Sequence, residues 1–254
     1  MIVNQNMSLT CLNCGTEISD QFCPHCGQKK EVKRITWHSL VHEVAHFFSH
    51  IEEGFIKTSV QLVYRPGRTI REYLEGKRKT YYKPVALYLV WATIFLITHN
   101  LVTRWMHYEV ETVGNFLFFN HETGNYFVQH RNIFELLLLP IMALFAWLII
   151  TRPKMNYIET LALGIYMFSV IGMFNTLQII INGLLLRINF MTNMFELQVL
   201  VVNLSWGFFC LMDFYKKEKI PLLPLRILAT FFITTIVYYK LGSVIVNIIL
   251  GFEN

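Results

Sequence analysis

Two groups of residues in this chain have the types and spacing for chemistry. Cys11-x2-Cys14 and Cys23-x2-Cys26 form paired knuckles, and His38, His42, His46 and His50 follow at every fourth position. A four-residue step is close to one helical turn, so the imidazoles run along one side of a helix and drift by about 40° per step. The middle of the ladder, His42-Glu43-Val44-Ala45-His46, has the H-E-x-x-H spacing of zinc hydrolases. There, two histidines bind Zn2+ and the glutamate activates the bound water. A third ligand is then required, with Glu72 the first candidate and Glu75 the second. His38 and His50 lie about 18 Å apart along a helix axis and cannot serve one ion. Two other readings stay open. The histidines bind a metal or titrate near neutral pH without catalysis, or they form the polar face of a helix.

The four cysteines supply the thiolates of a tetrahedral zinc site, with Gly15 and Gly27 closing the turn after each pair. A ribbon this short has no core of its own, so the metal supplies its folding energy. Two disulfides are the alternative, disfavoured in a reducing compartment. His25 is expected to face solvent, and Cys210 to be lipid-facing or packing filler. The ribbon is read as structural, and its expected task is to dock a partner protein.

The elements that position these groups divide the chain into a ribbon over residues 1–30, a juxtamembrane segment over 31–83 and a membrane domain over 84–254. An amphipathic helix is predicted over 36–57, with Thr36 as its N-cap. Leu40, Val41, Val44, Phe47, Phe48, Ile51 and Phe55 share one face, and the histidines with Glu53 share the other. Such a helix lies in the membrane interface with its apolar face down. Pro66-Gly67 then breaks the chain, Arg68 or Thr69 opens a short helix, and Gly76 closes it. Residues 65–83 carry seven basic side chains against Glu72 and Glu75, a surplus as large as the formal net charge of +5 for the whole chain. A basic block beside apolar runs points to anionic lipid headgroups at Arg65–Lys83 rather than to nucleic acid.

With 54% hydrophobic and 15% charged residues, the chain is too apolar for a soluble domain. Five transmembrane helices are predicted near 84–103, 133–150, 157–181, 194–214 and 222–249, the last interrupted by Lys240. No cleavable signal peptide is expected, because residues 1–30 are polar and cysteine-bearing. Basic residues concentrate in the 65–83 block, at Arg152 and Lys154, and at Lys216, Lys217, Lys219 and Arg226, whereas the alternate loops hold Arg104, Arg131 and Arg187. The positive-inside rule therefore places the N-terminus in the cytoplasm and the C-terminus outside. Asn175, Gln178 and Asn203 are candidate interhelical hydrogen-bond partners, and Glu135, Glu196 and Asp213 sit near span ends. Residues 104–132 are read as an outer loop with a hairpin, Phe116–Phe119 and Tyr126–Gln129 flanking a turn at His121. His107, His121 and His130 fall on that side and the ladder on the other, which excludes a membrane di-iron oxygenase.

The knuckles, the histidine-rich helix, the Pro66-Gly67-x-Thr69-Ile70-Arg71-Glu72-Tyr73-x-x-Gly76-Lys77-Arg78 stretch and Tyr82-Lys83-Pro84 together resemble a bacterial family of zinc-ribbon membrane proteins of unknown function. The resemblance covers roughly residues 11–90. It implies a bacterial inner membrane and one cytoplasmic module uniting the ribbon, His42, His46, His50 and Pro66–Arg78. The five-span layout is also similar to the Yip family of trafficking proteins, on span count alone. The expected molecule is an all-α integral membrane protein with a four-cysteine zinc ribbon and a juxtamembrane amphipathic helix. Its expected role is a non-enzymatic adaptor. The alternatives are a zinc hydrolase using His42, Glu43 and His46, with Glu72 completing a second metal site, and a small-solute transporter.

Overall fold

The computed structural model describes residues 10–32, 34–37, 54–106, 123–124, 126–127, 130–152, 154–187 and 193–251. The whole histidine ladder, Glu43 and most of the 36–57 segment lie outside these residues. Among the described residues the fold is all-helical, and five helices are long and apolar enough to cross a membrane: Pro84–Met106, Ile133–Thr151, Tyr157–Leu185, Leu197–Tyr215 and Leu223–Leu250. The protein is thus a multi-pass membrane protein, with spans close to those the hydropathy pattern predicts.

In chain order the helices are α1 (Phe55–Tyr64), α2 (Pro66–Leu74), α3 (Pro84–Met106), α4 (Arg131–Ala146), α5 (Tyr157–Ile179), α6 (Asn193–Tyr215) and α7 (Leu223–Leu250). Short π-helical turns extend α4 over Trp147–Thr151 and α5 over Ile180–Leu185. α5 opens with a capping box in which Asn156 Oδ1 accepts from the Glu159 backbone N–H and Glu159 accepts from the Asn156 N–H. α3 lies along α5, while α4, α5, α6 and α7 close a ring in that order. α7 runs unbroken through Lys240, which is exposed about 26 Å along the helix axis, deep enough to reach the far interface.

Three expectations need correction. The helix read over 36–57 does not continue through Gly54, whose φ of 121° is open to glycine and ends any helix there; α1 begins at Phe55. α2 begins at Pro66 rather than at Arg68 or Thr69, because proline has no N–H to satisfy in a first turn. Thr123, Gly124, Tyr126 and Phe127 are helical, not part of a hairpin. Phe127 is buried against Phe134 and Val246, its ring lying where a side chain at Gly242 of α7 would stand. Packing against a span thus overrides the local strand pattern.

α1 sits beside the spans rather than above them. Its buried Thr58 and Ser59 accept hydrogen bonds from the Tyr82 N–H and from Trp91 Nε1, and its Val63 carbonyl accepts from Trp206 Nε1. Trp91 is seven residues into α3, about 10 Å along the axis. The opposite side of α1 exposes Ile56, Val60 and Tyr64.

Candidate metal centre

The ribbon is two copies of one turn. Shifting the numbering by twelve carries Thr10, Cys11, Cys14 and Gly15 onto Phe22, Cys23, Cys26 and Gly27. Each copy has the same hydrogen bonds: Cys11 N–H to Thr16 O and Gly15 N–H to Cys11 O in the first, Cys23 N–H to Gln28 O and Gly27 N–H to Cys23 O in the second. Gly15 and Gly27 take φ of 80° and 69°, the left-handed turn that folds each knuckle back on its sulfurs. Short bridges, Thr10 with Glu17 and Phe22 with Lys29, tie each copy at its base.

The four sulfurs converge. Cys11 and Cys26 Sγ lie 3.6 Å apart, Cys14 and Cys23 Sγ lie 3.5 Å apart, and all four fall within 4.8 Å of one another. A tetrahedral site with metal–sulfur bonds of about 2.3 Å has edges of about 3.8 Å, whereas a disulfide needs about 2.05 Å. The donor set fits a metal ion and not two disulfides. Hydrogen bonding with Thr16 holds the Cys14 thiol down at about 6, so it is already in the ligating thiolate form near neutral pH. Burial pushes Cys26 up to about 11, and its proton leaves when a metal takes its place. His25 is exposed, and Cys210 is fully buried among the spans.

The ribbon and the segment just after it are anchored to the rest of the chain at three places. Asn13 Oδ1, on the tip of the first knuckle, accepts from the Thr80 N–H and Oγ1 at 3.0 and 2.7 Å. Gln28 Oε1 accepts from the Arg78 and Lys79 N–H groups. Arg34 then pairs with both oxygens of Glu159 at 2.8 and 2.7 Å, and Ile35 is buried in the main core. Gly76, at φ 118°, lets the 75–80 loop pass under Leu12.

Beneath the ribbon, α2 is locked to the end of α6. Asp213 Oδ2 accepts from the Gly67 and Arg68 N–H groups, placing a carboxylate at the N-terminus of α2. In return the Arg71 guanidinium donates to the carbonyls of Asp213 and Phe214, the last orphan acceptors of α6. Ile70 and Tyr73 are buried, with Tyr73 edge-on to Tyr166 of α5.

Glu72 is fully engaged. Its Oε1 accepts from Arg68 at 2.8 Å, and its Oε2 accepts from the Tyr81 hydroxyl at 2.6 Å and pairs with Lys77 at 3.2 Å. A metal at Glu72 would have to displace these three donors; Glu75 is exposed at the end of α2. Burial alone would raise the Glu72 carboxyl, but Tyr81, Arg68 and Lys77 together hold it at about 2. The basic block is therefore partly consumed within the chain: Arg68 and Lys77 by Glu72, Arg71 by α6, and Arg78 over the Tyr73 ring.

A lowered carboxyl stabilises the fold above its unfolded pKa, near 4.5, and that contribution is lost as pH falls toward 2. Glu72→Gln should cost about 1–2 kcal/mol at pH 7 and flatten the difference from the parent below pH 4. Unfolding curves of both proteins in detergent from pH 7 to 3 check this; equal curves throughout would remove Glu72 from the account.

Residues 52–96 match the model of a family described as a protein of unknown function (DUF3667). No curated protein and no solved structure matches the chain. The matched stretch covers α1, α2, the 75–83 loop and the first half of α3, which is the joint between ribbon and spans. Within it, Pro66 starts α2, Gly67 and Arg71 contact α6, Glu72 gathers the loop, and Gly76 receives the ribbon. Sequence reasoning missed Asn13, Gln28, Arg34 and Asp213 in this role. The twelve-residue repeat was the available signal for the ribbon anchors, since it marks Asn13 as a knuckle tip.

Proposed function

We propose that this protein is a non-enzymatic membrane adaptor of the bacterial inner membrane, with a zinc-loaded ribbon that holds a partner protein on the cytoplasmic side. One observation carries the reading. The two knuckles are equivalent by the twelve-residue repeat, yet their tips are used differently. Asn13 is docked on the 76–80 loop and Leu12, still 37% exposed, reaches Gly76, whereas Pro24 and His25 in the second knuckle are both exposed. Phe22 beside them is 50% exposed, a large ring with no core to fill. The second tip thus offers a partner the kind of surface that the first offers the loop.

Zinc is the ion that best suits four thiolates in a closed tetrahedral site. Anionic headgroups are the proposed contact of Lys79, Lys83 and Arg65, which the Glu72 cluster leaves to the surface. In the alternative reading as a zinc hydrolase, Glu72 would join His42 and His46 only by giving up Arg68, Tyr81 and Lys77.

A photo-crosslinking amino acid at position 22 tests the adaptor reading in cells. A discrete higher-mass adduct is expected from position 22 and not from the docked position 13, and it should disappear in Cys14→Ser. Equal labelling from both positions, or an adduct indifferent to the cysteine, sinks the reading. Glu43→Gln should leave the adduct unchanged; loss of a measurable hydrolysis by that variant would favour the enzyme instead.

A further inference from the structure

By the standard of a helix in water, α1 is inside out. Its buried side carries the hydroxyls of Thr58 and Ser59 beside Leu62, whereas Ile56, Val60 and Tyr64 are 75%, 51% and 52% exposed. A helix on the surface of a soluble domain does the reverse. The two hydroxyls tolerate burial because each accepts a hydrogen bond, from the Tyr82 N–H and from Trp91 Nε1, both at 2.9 Å. At about 100° per residue, the outward arc runs from Ile56 through Val60 to Tyr64 and then reaches Lys57 and Gln61. One edge of the outward face is therefore aliphatic, and the other carries a cation and an amide.

Two indoles set the depth of α1. Phe55, its first residue, stacks on Trp91 with ring centroids 5.5 Å apart, and the carbonyl of Val63, its penultimate residue, accepts from Trp206 Nε1 at 3.3 Å. Trp91 lies about 10 Å into α3 from Pro84, and Trp206 about 13 Å into α6 from Tyr215. Both distances start at the ends nearer the ribbon, since the 75–83 loop leads into Pro84 and Asp213 caps α2. Pinned at both ends to one level, α1 lies across α3 and α6, within the ribbon-side half of a hydrocarbon layer about 30 Å thick. The two spans expose apolar residues of their own, Leu96 and Ile97 on α3 and Phe209 on α6, so the outward face of α1 adds to a lipid-facing surface. Lys57, on the polar edge, has a stem long enough to carry its charge toward phosphates.

We propose that α1 is an in-plane helix of the bilayer leaflet on the ribbon's side, with phospholipid acyl chains covering Ile56, Val60 and the Tyr64 ring and Lys57 reaching the headgroup layer. Only Arg65 separates α1 from α2, and the loop after α2 holds the ribbon, so the embedded helix fixes the ribbon's height above the bilayer. This inference is independent of the adaptor reading.

The test places the photoreactive amino acid benzoylphenylalanine at position 60 of the full chain, in nanodiscs of phosphatidylcholine and phosphatidylglycerol. Position 228 on the exposed side of α7 and position 20 on the ribbon serve as references. On irradiation, position 60 is expected to gain the mass of a phospholipid, joined through its acyl chain, about as well as position 228; position 20 should gain none. Val60→Asp should lower the melting temperature in the same nanodiscs by about 5 °C, because a carboxylate is forced into hydrocarbon, while Val60→Leu should melt with the parent. Absence of a lipid adduct at position 60 when position 228 is labelled overturns the proposal. A crosslink from position 60 to this chain or to a second copy, in place of lipid, also overturns it. So does a Val60→Asp melt equal to that of the parent, which would mark a face in water.

Discussion

Replacing Cys23 by serine should abolish metal retention and unfold the ribbon while the spans stay folded. Cys23 is buried, and the ribbon's core among the described residues is its own sulfurs with Ile18. In structural zinc sites of this size, binding contributes about 10–16 kcal/mol, so nothing else in the ribbon can replace it. The consequence does not stop at the metal. The Thr16 and Gln28 carbonyls lose the turns that orient them, and Asn13 and Gln28 lose their grip on the N–H groups of Arg78, Lys79 and Thr80. The expected result is one metal per chain in the parent, none in the variant, and new proteolytic cleavage at Lys29, Lys30 or Arg34. Metal analysis with limited proteolysis measures both. An intact ribbon without metal would show that its fold rests on the three anchors instead.

Gly67→Ala should separate the ribbon-side layer from the membrane domain. A Cβ at position 67 would stand 2.1 Å from the Phe214 backbone N and 2.3 Å from the Asp213 carbonyl carbon. Those are backbone atoms in the last turn of α6 and cannot swing away as a side chain would. To admit one methyl group, α2 must retreat, stretching the Asp213 cap and drawing Arg71 off the α6 carbonyls. The expected cost is about 3 kcal/mol, at the upper end for overpacking because several hydrogen bonds go with the contact. The loss should appear as a lower melting temperature and faster cleavage in the 75–83 loop, with the spans still helical by circular dichroism. A parent-like melt would mean that α2 does not need this close approach.

The spans were legible because they obey a rule that acts along the chain. A helix that crosses hydrocarbon must be about twenty apolar residues long whatever its neighbours are, and the five helices fall where that rule places them. The cysteine cluster was legible for a similar reason: two residues between ligands and a following glycine suffice to aim two sulfurs at one point. Span-facing polar residues were legible in part. Asn175 and Asn203 do meet, whereas the Gln178 side-chain amide finds no donor or acceptor among the described residues.

What the sequence did not show was most of what specific partners decide. Pro66-Gly67 reads as a helix break, and its proline does open a helix, but nothing near Gly67 announces that the missing side chain makes room for Phe214, 147 positions on. Glu72 reads as a candidate metal ligand on a helix, and the fold makes it the shared acceptor of Arg68, Lys77 and Tyr81. Tyr126 and Phe127 read as strand residues until Gly242 offers Phe127 a seat on α7. Sequence by itself determined the membrane class, the five apolar spans and the four-cysteine cluster, because length, hydropathy and ligand spacing are local quantities. Only the tertiary structure decided that the ribbon is fastened to the rest of the chain, that the basic block is partly spent inside the chain, and that α4, α5, α6 and α7 line a common cavity. Each of those depends on which surfaces pack together, and a one-dimensional pattern does not carry that information.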